Sequence, residues 1–346
     1  MMQISPETQL FIREHSSDDV RVLALQAKKY PDIDMPTVIT QIAGRKVAAE
    51  KIPSWWEIEK IWYPKHLSLE QCSSEITARY KARLLQGDSL TDLTGGFGID
   101  CSFLATGFKS ATYVERQEEL CEIAAHNFPV LNLNHINIKN EDGVTYLQVM
   151  SPVDCLFLDP ARRNEHGGKT VAISDCEPNV AELEELLLQK ANRVMIKLSP
   201  MLDLSLALKE LKQTQEVHIL SVNNECKELL ILLGQTSPAE ISIHCVNLFT
   251  KGTQKEQHFV FTREQEQCSE CTYTDSLETY LYEPNASLLK AGAFRSIAAA
   301  YPVRKLHPNS HLYTSDTFIE NFPGRIFRIV NQCSFNKKEV KENLAD

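Results

Sequence analysis

Leu90-Thr91-Asp92-Leu93-Thr94-Gly95-Gly96-Phe97-Gly98-Ile99-Asp100 is the stretch from which the fold can be worked out. Its pattern predicts the end of a buried strand, a glycine turn and the start of a helix. Glycines let a backbone come within contact distance of a ligand, because no Cβ stands in the way. The free N–H groups at a helix start favour electron-rich ligand atoms. An ordinary tight turn would look the same, so the residues that follow decide between the two interpretations.

Two kinds of nucleotide-binding turn can be compared with this stretch. A dinucleotide site requires Gly-x-Gly-x-x-Gly, and counting from Gly96 places Cys101 where the third small residue should stand. An S-adenosylmethionine site requires an acidic residue followed by glycines at alternating positions. Asp92, Gly96 and Gly98 satisfy that pattern, with Thr94 in place of the first glycine. This second interpretation is therefore favoured over a nicotinamide oxidoreductase.

The three strands predicted after this turn end in residues that such a site needs. About 20 residues on, Ala111-Thr112-Tyr113-Val114-Glu115 ends in an acid suited to ribose hydroxyls. Asn137-Ile138-Lys139-Asn140-Glu141-Asp142 supplies Asp142 for a place beside an adenine. Cys155-Leu156-Phe157-Leu158-Asp159-Pro160 ends in an Asp-Pro pair, which belongs at a reaction centre. Each match alone is weak, but together, in this order, they indicate one site.

With these residues the chain resembles the class I S-adenosylmethionine-dependent methyltransferases, and more closely the bacterial THUMP-like-domain methyltransferases. The resembling stretches span most of the chain: Leu67–Glu75, Asp92–Asp100, Leu158–Arg163, Ser221–Glu228 and Tyr282–Ala286. The resemblance implies an N-terminal helical region, a catalytic domain, a ferredoxin-like domain and a C-terminal THUMP-like domain. The sequence ends at Asp346, roughly where the last of these should begin, so the THUMP-like part is expected to be missing or only started.

The resemblance and the residue pattern together divide the chain into four parts. We expect a helical region over 1–67, a methyltransferase domain over 68–235, a ferredoxin-like α+β domain over 236–330 and a polar tail over 331–346. Strands are predicted near 89–93, 110–115, 135–139, 154–158, 193–198, 216–222 and 226–233, with helices between the first six. This alternation predicts a mostly parallel, Rossmann-like α/β sheet. Only Asn223-Asn224-Glu225 separates the last two strands, which predicts the terminal antiparallel hairpin of class I methyltransferases.

Three local predictions complete this division. Ser68 and Gln71 form a capping box, which predicts one helix from Ser68 to about Leu85. In the related family this helix lies beside the cofactor, so some of its polar residues are candidates to border the pocket, although a solvated face is equally open: Ser73, Ser74, Thr77 and Tyr80. Short strands at 241–246 and 258–261 are assigned to the small domain. The aromatic residues Trp55–Tyr63 are expected to pack between the helical region and the sheet.

The candidate site residues follow from these motifs. Seven cofactor-binding residues are expected at the ends of the first three strands: Asp92, Thr94, Gly95, Gly96, Gly98, Glu115 and Asp142. Asp159 is the candidate catalytic residue, because a carboxylate there can accept a proton or a hydrogen bond from the nucleophile. Substrate contacts are expected from three residues: Pro160, Arg162 and Lys197. For the two basic residues, salt bridges to nearby acids are an equally open interpretation.

The sequence after Asp159 narrows the chemistry. Asp159-Pro160-Ala161-Arg162 lacks the second proline and the aromatic residue that follow in amine-methylating relatives. It resembles the Asp-Pro-Pro-Arg of uracil carbon-methylating RNA enzymes. Leu198, however, stands where those enzymes need a nucleophilic cysteine, so covalent activation of the ring is excluded. We therefore expect direct methyl transfer to RNA or a nucleotide-containing substrate, with a cofactor-binding scaffold or RNA-associated protein without turnover as the alternative.

Composition limits the partners. The 346 residues are 43% hydrophobic and carry a net charge of −10. Residues 89–240 hold 12 basic and 22 acidic side chains, so the acidic excess lies in the predicted catalytic segment and does not support a broad nucleic-acid-binding face. Without a run of about 18 apolar residues or a secretion signal, no membrane segment is expected, and the predicted location is the cytoplasm. The single Cys268-Ser269-Glu270-Cys271 lacks further ligands, so no metal site is expected.

Overall fold

The protein is described from a computed structural model that covers residues 4–162, 172–236, 238–334 and 336–343. The chain forms two compact units. The first contains Met1–Leu198, Leu206–Gln213 and Leu232–Thr236, and the second contains Ser199–Ser205, Thr214–Ile231 and Ser237–Asp346. From the first strand onward, helices and strands alternate in the first unit, which confirms the predicted α/β class.

Six α-helices precede the first strand in the described part of the chain. They are α1 (Pro6–Glu14), α2 (Val20–Gln26), α3 (Met35–Lys51), α4 (Pro53–Trp56), α5 (His66–Gln71) and α6 (Glu75–Ala82). Ser5 caps α1 by accepting a hydrogen bond from the N–H of Thr8, and Pro6 follows in the first turn, where it needs no partner for an N–H. The single helix predicted from Ser68 to Leu85 is wrong, because the chain is extended at Cys72 and Ser74, between α5 and α6.

The sheet of the first unit is built from strands that alternate with helices. Its elements are β1 (Ser89–Asp92), α7 (Ile99–Ala105), β2 (Ser110–Val114), α8 (Glu118–Val130), β3 (Ile136–Lys139), α9 (Gly143–Val149), β4 (Val153–Leu158), β5 (Ala161–Arg162), β6 (Cys176–Glu177), α10 (Val180–Lys190), β7 (Ala191–Leu198) and, after it in the chain, α11 (Leu204–Glu210). The strand order is β3-β2-β1-β4-β7, and all these neighbours are parallel. β5 and β6 form a separate antiparallel pair.

The register of the parallel strands brings their carboxyl ends together. Asp92 at the end of β1 lies opposite Tyr113 of β2 and Phe157 of β4. Val114 at the end of β2 lies opposite Lys139 of β3. Parallel strands run in one direction, so the segments that follow them leave the sheet at one edge, here called the carboxyl edge. The residues of the predicted site are therefore collected there.

The second unit begins its sheet with the predicted hairpin. β8 (Thr214–Val222) and β9 (Glu225–Gly234) are neighbours joined by a two-residue turn, so they run antiparallel. Asn223 and Asn224 form this turn with φ angles of 49° and 66°, a region that asparagine tolerates better than most residues. The end of β9, from Leu232, belongs to the first unit and lies next to β7.

Two further strands extend this hairpin. They are β10 (Ser242–Leu248), which is parallel to β8, and β11 (Glu256–Phe261), which is antiparallel to β10. The sequence analysis assigned both to the small domain; in the structure they continue the sheet of the hairpin, and the start of the small domain at 236 stays a prediction. Cys245, Val246 and Leu248 of β10 are buried in this sheet. The local sequence pattern of β10 does not indicate that it pairs with β8.

A separate four-stranded sheet follows. The remaining elements are α12 (Arg263–Cys268), β12 (Tyr280–Pro284), α13 (Ala286–Ala291), α14 (Ser296–Ala300), β13 (Arg304–Lys305), β14 (Tyr313–Ser315), β15 (Gly324–Arg328) and α15 (Lys337–Asn343). The strand order is β13-β14-β12-β15, and all neighbours are antiparallel. Tyr282 and Tyr313 lie opposite each other at its centre, and both are fully buried. This sheet confirms the predicted small α+β region.

A shared apolar core joins the N-terminal helices to the glycine turn. Trp55 and Tyr63 are buried in one cluster with Phe97, and the ring centroids of Trp55 and Phe97 are 5.2 Å apart. Ile99 and Ile123 complete the same cluster from α7 and α8. Trp55 and Tyr63 thus pack in the core as predicted and contact the glycine turn through Phe97, whereas Trp56 is exposed. Across the described ranges, no helix has the length and apolarity needed to span a bilayer.

Candidate active site

Backbone hydrogen bonds hold the segments at the carboxyl edge in fixed positions. The N–H of Leu93 donates to the carbonyl of Phe157 at 3.0 Å, and the N–H of Gly95 donates to the carbonyl of Val114 at 2.8 Å. The N–H of Glu115 donates to the carbonyl of Lys139 at 3.0 Å. Each segment is therefore fixed to its neighbour immediately beyond its strand.

Asp92 places a buried carboxyl group at the centre of this edge. Its side chain is 1% exposed, and its Oδ1 accepts a hydrogen bond of 3.0 Å from the N–H of Thr94. Its Oδ2 is buried and has no hydrogen-bond partner among the described residues. Burial raises the pKa of Asp92 well above its usual range, and the bond from Thr94 opposes this only in part. The group therefore retains an unsatisfied acceptor next to the glycine turn.

The glycines of the turn have different roles. A Cβ at Gly95 would lie 2.3 Å from the ring of Tyr113, and one at Gly98 would lie 3.0 Å from the ring of Phe128. These two positions are closed by packing. At Gly96 the φ angle is 54°, and the nearest atom to an added Cβ would be 3.8 Å away. Gly96 thus borders open space, which is what a backbone position needs if a ligand is to contact it.

Glu115 is tied directly to the glycine turn. Its Oε2 accepts a hydrogen bond of 2.9 Å from the N–H of Gly96, and its Oε1 accepts one of 2.8 Å from the N–H of Gln117. The hydroxyl of Tyr113 donates to the carbonyl of Gly96. A carboxylate oxygen can accept two hydrogen bonds, so these bonds orient Glu115 and leave it able to accept others.

Asp142 lies at the same edge with a structural role of its own. Its Oδ1 caps α9 by accepting hydrogen bonds from the N–H groups of Val144, at 3.1 Å, and Thr145, at 3.0 Å. A Cβ on Gly143 would lie 2.1 Å from the carbonyl oxygen of Leu93, so the start of α9 packs tightly against the turn. Asp142 is therefore exposed beside the turn with one oxygen engaged, and its cofactor contact stays a prediction.

Asp159 follows β4 and is fixed at both its backbone and its side chain. Its N–H donates to Oγ1 of Thr94 at 2.6 Å. Its carboxylate forms an ion pair with the ammonium of Lys197 on β7. Burial raises the pKa of Asp159, and the positive charge of Lys197 opposes that rise. Thr94 and Lys197, both predicted as site residues, thus contact Asp159 directly.

The ion pair continues into a buried network that the sequence analysis did not identify as a unit. Lys197 Nζ lies 3.6 Å from Oδ2 of Asp100 and donates to Ser73 Oγ at 3.3 Å. Ser73 donates to Asp100 at 2.7 Å, and Lys81 Nζ lies 2.9 Å from the other oxygen of Asp100. Burial raises the pKa of Asp100, but Lys81 and Lys197 outweigh it, and the net pKa is lowered.

The network explains the break between α5 and α6. Ser73 stands in that break, is 4% exposed and contacts both Asp100 and Lys81. Ser73 is thus a buried member of this network rather than part of a solvated face. The sequence signal that could have revealed the network is Lys81, which is fully buried on α6. A lysine on the buried face of a helix indicates an acidic partner nearby.

The two remaining predicted substrate residues lie next to Asp159. Pro160 is buried, and Ala161–Arg162 forms β5. The side chain of Arg162 lies outside the described residues.

A different group of potential ligands lies in the second unit. Within the described ranges, Glu216, His218 and His244 alone bring three potential metal-ligand atoms within 4.8 Å of one another. Cys268 and Cys271 are free cysteines and belong to no such group.

Comparisons with known proteins add the family. A ferredoxin-like domain family matches residues 280–323, which contain β12 to β14. Comparison with curated proteins gives no match. Among solved structures, a modification subunit from Vibrio vulnificus YJ016, assigned provisionally to a type I restriction enzyme, aligns with a TM-score of 0.40 and 12% identity over 58% of this chain and 56% of that chain. An rRNA methylase from Streptococcus thermophilus aligns with a TM-score of 0.33 and 14% identity over 46% and 93%. These two scores are too low to carry an argument.

A third structure is far more similar. The crystal structure of a protein from Porphyromonas gingivalis W83, described provisionally as a methyltransferase, aligns with a TM-score of 0.85 and 34% identity. The alignment covers 99% of this chain and 86% of that chain, so it includes the carboxyl edge, the hairpin and the ferredoxin-like region. The chain therefore belongs to the same family as this Porphyromonas gingivalis protein.

Proposed function

We propose that this protein is an S-adenosylmethionine-dependent methyltransferase that transfers a methyl group directly to RNA or to a nucleotide-containing substrate. The observation that supports this most is the meeting of four features at the carboxyl edge. They are the unsatisfied Oδ2 of Asp92, the open space at Gly96, the oriented carboxylate of Glu115 and the paired carboxylate of Asp159.

The residues of this edge match the chemical groups of the cofactor. When bound, S-adenosylmethionine supplies an electrophilic methyl group on a positively charged sulfur. The free acceptor of Asp92 suits an ammonium or another N–H donor, because a buried acceptor without a partner costs about 1–3 kcal/mol. Glu115 could accept hydrogen bonds from the two hydroxyls of a ribose, and Asp142 would contact the adenine, as the resemblance implies. Gly96 lets a ligand approach the backbone, while Gly95 and Gly98 keep the turn packed.

Asp159 would act on the nucleophile. A carboxylate that accepts a proton or a hydrogen bond in the transition state typically contributes about 10²–10⁴-fold to the rate. The hydrogen bond from its N–H to Thr94 fixes its backbone, and Lys197 fixes its side chain. Correct placement matters most in a direct displacement, where alignment of the two reacting atoms supplies much of the rate. We therefore assign Lys197 to positioning; its predicted substrate contact remains part of this proposal, together with those of Pro160 and Arg162.

The finer parts of the proposal rest on the resemblance in sequence. They are the THUMP-like class, the RNA substrate and the division at 67, 235 and 330. Leu198 is fully buried at the end of β7, which agrees with chemistry that uses no cysteine nucleophile at this position.

The test separates cofactor binding from turnover. Calorimetry with S-adenosylmethionine, S-adenosylhomocysteine and NAD measures the first, and transfer of labelled methyl groups to fractionated RNA, protein and small-molecule pools measures the second. Glu115→Ala is expected to weaken binding by about 1–3 kcal/mol, because ribose hydroxyls would lose a charged partner. Heat from NAD alone would exclude the cofactor. Binding of S-adenosylmethionine without label in any pool would favour the scaffold alternative.

A further inference from the structure

The second unit carries three histidines and a glutamate in a row across neighbouring strands. Glu216 and His218 lie on β8, His244 on β10 and His258 on β11. The register pairs His218 with His244, and the two-residue spacing places Glu216 on the same face. His258 lies opposite Val246, two residues after His244, so it shares that face too. The strand register thus assembles residues that are far apart in sequence.

The side chains of this row are in mutual contact. His218 Nε2 lies 3.2 Å from Oε2 of Glu216, and the rings of His218 and His244 are stacked with centroids 4.3 Å apart. His244 Nδ1 lies 3.2 Å from Nε2 of His258. One nitrogen or oxygen atom from each of Glu216, His218 and His244 falls within 4.8 Å of the others. His218 is buried, Glu216 and His244 are half-buried, and His258 is exposed, so the group extends from the packed sheet to its surface.

We propose that Glu216, His218 and His244 bind one divalent transition-metal ion, with zinc as the best match. Zinc takes imidazole nitrogen and carboxylate oxygen at about 2.0–2.2 Å, which places tetrahedral ligand atoms about 3.3–3.6 Å apart. The observed separations are within 4.8 Å, so shifts of the ligand atoms by about 1–1.5 Å at most would close the site around the ion. Calcium and magnesium are disfavoured, because both prefer sites made of oxygen ligands.

His258 has a different part in this site. Its nitrogen contacts His244 and is absent from the group of three potential ligands. A hydrogen bond to the second nitrogen of a ligating imidazole fixes the orientation and tautomer of that ring. His258 is therefore a positioning residue for His244. The ion would pin β8 to β10 within the second unit and shares no residue with the carboxyl edge.

Zinc titration of the full chain tests the proposal. The protein, stripped of metal by a chelator, is titrated with zinc chloride by calorimetry, and its melting temperature is measured with and without zinc. We expect one zinc per chain and a higher melting temperature with zinc. His244→Ala and Glu216→Gln should abolish this binding, and His258→Ala should weaken it by about 10–100-fold. His307→Ala, an exposed histidine of the same unit outside the row, should bind like the wild type.

Two further measurements guard against misleading results. His244→Ala also removes a ring that is stacked on His218, which lowers stability independently of any metal. Glu216→Gln, which keeps the size of the side chain, is therefore the deciding variant, and in the cobalt-substituted protein it should lose the visible bands of tetrahedral cobalt. The double variant Cys268→Ser/Cys271→Ser should still bind zinc. Absence of zinc binding in the wild type, unchanged binding in Glu216→Gln, or loss of binding only in the cysteine variant would each overturn the proposal.

Discussion

The ammonium of Lys197 is shared between two carboxylates, because it forms an ion pair with Asp159 and lies 3.6 Å from Asp100. One carboxylate follows β4 and the other lies in the first turn of α7, so a single cation connects the proposed reaction centre to the glycine turn. Lys81 adds a second cation on the far side of Asp100. Among the described residues, the network therefore contains two lysines and two aspartates, whose formal charges balance.

Asp159→Asn tests the reaction centre. The substitution keeps the shape of the side chain but removes its ability to accept a proton. We expect turnover to fall by about 10²–10⁴-fold while the affinity for S-adenosylmethionine changes little. Rate and melting temperature should be measured on one preparation. A variant that is less stable but fully active per folded molecule would reduce Asp159 to a structural residue.

Lys197→Met should move the acidic limb of the pH–rate profile. The pKa of Asp159 is raised by burial, and Lys197 counteracts that rise. Removal of the cation should therefore raise this pKa further, so that the rate, which needs the ionised carboxylate, rises only at a higher pH than in the wild type. Lys109→Met, which removes an exposed ion pair with Asp88, is the matched control and should leave the limb in place. An unmoved limb in Lys197→Met would contradict the assignment.

Gly96→Val and Gly95→Ala should fail in different ways. At Gly96 the added atoms meet open space, so the chain should fold with a cost of about 1–2 kcal/mol from the positive φ angle and lose cofactor binding. At Gly95 the methyl group would collide with the ring of Tyr113, and the free energy of unfolding itself should drop. Calorimetry and thermal melting distinguish the two. Unchanged affinity in Gly96→Val would show that the turn does not contact the ligand.

Asp92→Asn should change how stability depends on pH. The folded-state pKa of Asp92 lies above its ordinary value of 3.8, so above that pH the unfolded chain releases the proton before the folded chain does. Stability from this group is present below pH 3.8 and is lost as pH rises toward the folded-state pKa. The asparagine variant should lack that loss. The difference between its free energy of unfolding and that of the wild type should therefore shift in favour of the variant as pH rises. Parallel curves from denaturant titrations would refute the shift.

Lys81→Met tests the structural side of the network. Lys81 is fully buried against Asp100, and removal of one partner of a buried ion pair typically costs about 3–5 kcal/mol. We expect a loss of that size in the free energy of unfolding, measured with denaturant. The exposed pair in Lys109→Met should have a far smaller effect. Equal effects of the two substitutions would show that the network does not stabilise the fold.

Some strands of the first sheet could be predicted because a short apolar run is followed at once by a polar residue. β4 is an example: Cys155 to Leu158 is buried, and Asp159 follows at once. The hairpin was equally accessible, since a two-residue connection permits only an antiparallel pair. The acids of the predicted site then fall at one edge for a simple geometric reason, the common direction of parallel strands.

The features that escaped prediction depend on pairing between distant segments. Local pattern predicted one helix through Ser73, but the helix is broken there, and Ser73 contacts Lys81 of α6 and Asp100, which lies 27 residues further along the chain. The position of β10 beside β8, and with it the meeting of His218 and His244, requires a register that no local pattern contains. The sequence therefore predicts where the strands end, but it does not predict the side-chain contacts and the strand register between segments that are distant in the chain.

The packing of Trp55 and Tyr63 on Phe97 has a consequence for how the first unit can be divided experimentally. A fragment that starts at residue 68 would leave one side of the glycine turn without its apolar cover, since the cluster combines residues from α3 to α5 with residues from α7 and α8. Such a fragment should precipitate or remain partly unfolded, whereas the intact chain should lose α4 and the glycine turn in one cooperative transition. The segment that contains Trp55 and Tyr63 is then best regarded as part of the core of the first unit and not as a detachable module.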